Sequence, residues 1–135
     1  MTILLAQFGM LLFAIFSAIE EAAFTHPFRK ISNEAFPDKT KFQLLRKAHT
    51  NGALQVGMIL FVIGVLSGFF AAVLAGLVYW LVFDISFAIA TDQHPLKIGD
   101  TANLDKLLTK VLGKNAGAKK AGICLVLIIA INLFL

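Results

Sequence analysis

Residues 48–83 read AHTNGALQVGMILFVIGVLSGFFAAVLAGLVYWLVF, and this stretch of 36 residues contains no Asp, Glu, Lys or Arg. A helix needs about 20 residues to cross a hydrocarbon core roughly 30 Å thick. The run is too long for one straight crossing and long enough for two. Its midpoint holds Ser67-Gly68, the place where the chain can reverse. The reading that follows is one helix ending at Ser67 and a second running from Phe69 to Ala90.

On the N-terminal side, Thr40-Lys41-Phe42-Gln43 has the form of a capping box, Thr with Gln three places on, which satisfies otherwise unpaired N–H groups. The helix is therefore expected to begin near Lys41, with 50–67 as its membrane-buried part. Before it stands a first apolar run from Thr2 to Phe24, interrupted only by Glu20-Glu21. No Lys or Arg precedes Arg29, whereas a signal peptide begins with positive charge. The run reads as a retained span over 3–24.

On the C-terminal side, 91–117 is polar but contains Leu104, Leu107, Leu108, Val111 and Leu112 at helical spacing, with Asp105, Lys106 and Lys110 opposite. This pattern predicts a short amphipathic helix in the membrane interface, or one packed on a partner subunit. Gly113 stands where a helix is expected to end. The last run, Ala121–Leu135, rises about 22 Å. Snorkelling of Lys119 and Lys120, with a further turn from Ala116 to Ala118, extends it to a span over 118–135. The expected architecture is all-α: a single integral membrane four-helix bundle with an additional short amphipathic interfacial helix.

Composition agrees with that reading. Hydrophobic residues make up 59% of the 135-residue chain and charged residues 15%, and the mean hydropathy is +0.83. Soluble domains lie near 45–50% and about 25%. The net charge of +4 is explained by topology, so no nucleic-acid partner is expected. All twelve Lys and Arg fall in Arg29–Lys47 and Lys97–Lys120. Four crossings put the polar segments 25–49 and 91–117 on one side, and the positive-inside rule makes that side cytoplasmic. Both termini are then non-cytoplasmic. The single Cys124 lies in an apolar run, with no metal-type spacing.

Helix rise places three ionisable residues in one layer. Counted from the far ends of their helices, Glu21, His49 and Asp84 lie roughly 27, 27 and 22 Å deep, with His26 and His94 just beyond. A carboxylate near hydrocarbon is costly and turns toward a partner. Glu21, His26, His49 and Asp84 are ligand types for a divalent metal such as Zn, Fe or Mn. The spacing is not that of a helical metal pair, however, and no HExxH motif is present. The alternatives are structural ion pairing of Glu21 and Asp84 with Arg46, Lys47 or Arg29, at similar depth, or interfacial charges facing water. For packing, Gln7, Ala14, Ser17, Ala18 and Glu21 form one stripe on the first helix. Gly57, Gly64 and Gly68 on the second allow close approach.

The segments Glu21–His26, Phe83–Phe87 and Ile98–Asp105 resemble segments of small polytopic membrane proteins of bacteria and their phages, a group with no established activity. The likeness covers about a fifth of the chain. It implies a bacterial inner membrane or a phage-associated membrane, and it singles out Glu21, His26, Asp84 and Asp105 for joint study. Small four-helix multidrug exporters also carry a Glu in their first helix, but nearer mid-membrane and between short loops. Three expectations of function remain: a structural or accessory subunit of a membrane assembly, cellular or viral, with homo-oligomers among its forms; a small transporter or metal-dependent membrane enzyme using the Glu/His/Asp layer; and a holin-like pore former.

Overall fold

The computed structural model describes the backbone of residues 2–30, 38–96 and 103–134, and the side chains of 2–24, 50–96 and 106–134. It is all-helical within those limits. The helices are α1 (Ile3–Lys30), α2 (Asp38–Ser67), α3 (Phe69–Ala90), the short α4 (Asn103–Leu112) and α5 (Ala116–Phe134). Four contain stretches long and apolar enough to cross a membrane: Ile3–Phe24, Thr50–Ser67, Phe69–Ala90 and Ala116–Phe134.

The turn between α2 and α3 is a single residue. Gly68 closes α2 by donating its N–H to the Gly64 carbonyl (3.0 Å), and its own carbonyl accepts from Ala72 (3.2 Å), opening α3. Its φ of 93° and ψ of 163° belong to a region that only glycine enters readily. That conformation folds α3 back along α2 so closely that a Cβ on Gly64 would stand 3.5 Å from the Ala72 Cβ, and one on Gly76 3.3 Å from Leu60 Cδ1.

α3 is the hub, packing against α1, α2 and α5. On α1 the buried ridge is strictly fourfold: Ala6, Met10, Ala14, Ala18 and Ala22, with Ala14 and Ala18 at 0% exposure. Opposite it α3 buries Ala71, Leu74, Ala75, Val78 and Ala88. Lipid tails are as apolar as leucine, so membrane helices associate through close van der Waals contact and polar bonds, and small residues permit both. The core cluster unites Ala6, Met10, Ile63, Ala71 and Ala75. An aromatic ladder continues it toward the loop side. Phe13 meets Tyr79 (5.8 Å), Tyr79 stacks on Phe83 (5.4 Å), and Phe83 stacks on Phe87 (5.9 Å).

Several boundaries and packing positions differ from the sequence reading. α1 runs on through Pro27 to Lys30, and α2 begins at Asp38, so Thr40 lies inside the first turn and not at a cap. Polarity marks where lipid ends, but the helical hydrogen-bond ladder is satisfied by backbone alone and continues into water. The last helix starts at Ala116, two residues before its expected span. Of the glycines expected to let helices approach, Gly64 alone meets another helix. Among the described residues nothing lies within 4 Å of where a Cβ would stand on Gly57 or Gly68. Gly57 faces outward and Gly68 serves backbone conformation. The α1 ridge is likewise offset from the expected stripe, because Gln7, Ser17 and Glu21 sit at its half-buried margin.

α3 ends in a Schellman motif. Asp92 (φ 54°) donates to the Ile89 carbonyl (3.1 Å) and Gln93 donates to Ala88 (2.8 Å). The buried Thr91 hydroxyl donates to the Phe87 carbonyl (2.8 Å). α4 ends at Gly113 (φ 66°), whose N–H bonds the Thr109 carbonyl at 3.0 Å.

Candidate functional site

Asp84 lies six residues from the loop-side end of α3, and Lys120 lies four residues into the antiparallel α5. At 1.5 Å per residue these are about 9 and 6 Å from the same face. The two side chains therefore meet at one level. Lys120 donates to the Asp84 carboxylate and forms a salt bridge with it. The Lys120 ammonium also sits 4.0 Å from the centre of the Trp80 ring, one turn before Asp84, so the ring face shares in holding the cation. Lys120 is 5% exposed. Cys124, one turn further along α5, is buried beside it.

An ion pair inside a spanning segment follows from the low dielectric. A lone charge there is expensive, whereas two opposite charges in hydrogen-bonded contact offset each other's desolvation. Asp84 keeps 28% side-chain exposure because the pair borders a cleft of about 20 Å³, room enough to admit a water. Leu81, Ile85, Pro95 and Leu96 line it with the two charges.

The tandem lysines thus divide their work. Lys119 remains at the surface, where its ammonium donates to the Leu112 carbonyl at the end of α4 (2.6 Å), a C-terminal cap that matches the helix dipole. Lys120 turns inward. The sequence reading had both lysines snorkelling, and it missed Lys120 as the cation for Asp84. The available signal was depth: α3 ends and α5 begins at the same face, so residues equally far from those ends lie at one level.

Two further polar contacts join helices in the apolar region. The Tyr79 hydroxyl on α3 lies near Ser17 and Glu21 of α1 and near Asp84, close enough for each to act on it electrostatically. At the opposite end Gln7 donates to the Asn132 side chain (2.9 Å), joining α1 to α5. Gln7 follows the start of α1 and Asn132 precedes the end of α5, so this bond sets both termini at one end of the molecule.

The other expected site residues are placed as follows. Glu21 is half-buried on α1 toward α3, and Glu20 is exposed. His26 lies on α1, and Arg46, Lys47 and His49 lie on α2, but their side chains fall outside the described residues, as do those of Arg29, Leu104 and Asp105. His94 is exposed and accepts the Leu96 N–H at Nδ1 (3.2 Å) within its own loop. Among the described residues no group of three or more His, Cys, Asp or Glu side chains is arranged to hold a metal ion. On α4, Leu107 and Val111 are exposed at 57% and 73%, while Leu108 and Leu112 are half-buried. Comparison with known protein families, curated proteins and solved structures finds no match to this chain.

Proposed function

We propose that this chain is a structural or accessory subunit of a membrane assembly, crossing the bilayer four times with both termini non-cytoplasmic. The resemblance to small bacterial and phage membrane proteins supports a bacterial inner membrane or a phage-associated membrane as its location. One observation carries the functional reading: the polar groups of the spanning region join helix to helix. Lys120–Asp84 ties α5 to α3, Gln7–Asn132 ties α1 to α5, and Ser17 of α1 lies beside the Tyr79 hydroxyl of α3. Such closed pairs hold a scaffold in shape. The outward face of α2, with Leu54, Met58, Phe61 and Val65 exposed, is then the surface that meets lipid and neighbouring subunits.

A photo-reactive phenylalanine analogue at Phe61 or Val65, illuminated in native membranes, tests this directly. The expected result is a discrete protein adduct, with a second copy or a partner subunit. Adducts with lipid alone at both positions would contradict the reading. A second reading, a small proton- or ion-coupled transporter, draws on the cleft that reaches Asp84. It predicts gradient-driven flux in proteoliposomes that Asp84→Asn abolishes while the fold survives.

A further inference from the structure

α4 is held at the level where α5 enters its spanning segment. The connection between them is only Gly113, Lys114 and Asn115, and Lys119 of α5 caps the Leu112 carbonyl. The residues of α4 separate by helical angle. Leu108 and Leu112 form its half-buried edge, and α5 is the helix that α4 packs against. Leu107 and Val111, the next edge round, are exposed. Lys106 and Lys110 follow on the adjoining edge, and Lys114 comes one turn later; all three are exposed. The exposed acids of the described residues near this end are Glu20 and Asp92, and α4 itself carries Asp105 against Lys106, Lys110 and the following Lys114, so the balance of charge is positive.

An apolar edge beside a lysine edge, anchored where a span begins, matches the boundary between acyl chains and headgroups. Charge complementarity selects the occupant. We infer that α4 and the turn after it form a docking surface for anionic phospholipid headgroups of the loop-side leaflet. Leu107 and Val111 enter the acyl boundary, and Lys106, Lys110 and Lys114 meet the phosphates. This surface goes beyond the assembly reading, which needs no lipid preference and can fail or stand independently of it.

The test uses the full chain reconstituted in mixed phosphatidylcholine–phosphatidylglycerol vesicles, with each lipid spin-labelled in turn to read its share of the shell around the protein. The parent is expected to enrich phosphatidylglycerol over phosphatidylcholine. Each Lys→Gln change at 106, 110 or 114 should lower that preference, by up to about fivefold per charge near an anionic surface. The triple Arg variant, which keeps the charge, should retain it. Equal shares of the two lipids around the parent would overturn the proposal, as would a triple Gln variant with undiminished preference. Loss of the preference in millimolar inorganic phosphate, at matched ionic strength, would show a free-anion site and also overturn it.

Discussion

A lysine ammonium turned inward a turn inside a membrane-spanning helix persists only with a partner, and Lys120 has two, the Asp84 carboxylate and the Trp80 ring. Breaking a buried pair by removing one member typically costs about 3–5 kcal/mol, because the survivor is left uncompensated. Asp84 retains some exposure, which places the expected loss for Asp84→Ala near the lower figure, about 3 kcal/mol. Replacing both residues together, as Asp84→Leu with Lys120→Met, removes the stranded charge. It should return most of that stability, since apolar replacements of buried pairs are often neutral or better. Unfolding in detergent, followed for the two single variants and the double one, measures the coupling; additive losses would show that the pair is not a unit. At this scale the sequence was partly legible. Asp84 stood out as the only charge in its run, and Glu21 was separable from Glu20 by its place near a small-residue stripe. Lys120 did not stand out, because a lysine at the start of a span has two physical outlets, outward to water or inward to an acid. Only the meeting of α3 and α5 decides between them.

Helices were legible in their middles and less so at their ends. Apolar run length located the four spans, and the turn at Ser67-Gly68 followed from 36 uncharged residues that one helix cannot use. The ends were harder because a helix crossing from lipid to water keeps the same backbone bonds, so polarity overstated the loops at 25–49. The glycines show the same limit. A glycine in the sequence announces freedom but not its use: Gly68 uses it for φ, Gly64 and Gly76 for proximity, and Gly57 for neither within this chain. The alanine ridge on α1 was harder still to recognise, since alanine is common in any apolar helix. Gly68→Ala is accordingly expected to lose about 1–3 kcal/mol, the cost of forcing a Cβ into that backbone region. Gly57→Ala, which meets nothing, should be neutral or stabilising by up to about 1 kcal/mol. Thermal stability in detergent checks both, and a Gly68→Ala variant as stable as the parent would mean that the α2–α3 turn takes another form.

For the molecule as a whole, charge distribution and span count are separate observations that agree. Twelve cations in two segments call for an even number of crossings between those segments, and the two apolar spans of α2 and α3 supply it. The Gln7–Asn132 bond adds a structural link between the first and last helices at the end opposite the Asp84–Lys120 pair. Function was the least legible level, because the sequence carries no motif of the kind that marks a catalytic centre, and the proposed scaffold role requires none. The account stands or falls on its topology, and cysteine accessibility reads topology most directly. In a Cys124→Ala background, single cysteines at Thr2, Lys114 and Leu133 are treated in intact cells with a membrane-impermeant thiol reagent. The account predicts labelling at Thr2 and Leu133 and protection at Lys114 until the membrane is permeabilised. Labelling at only one of Thr2 and Leu133, or at Lys114 together with Leu133, would contradict it.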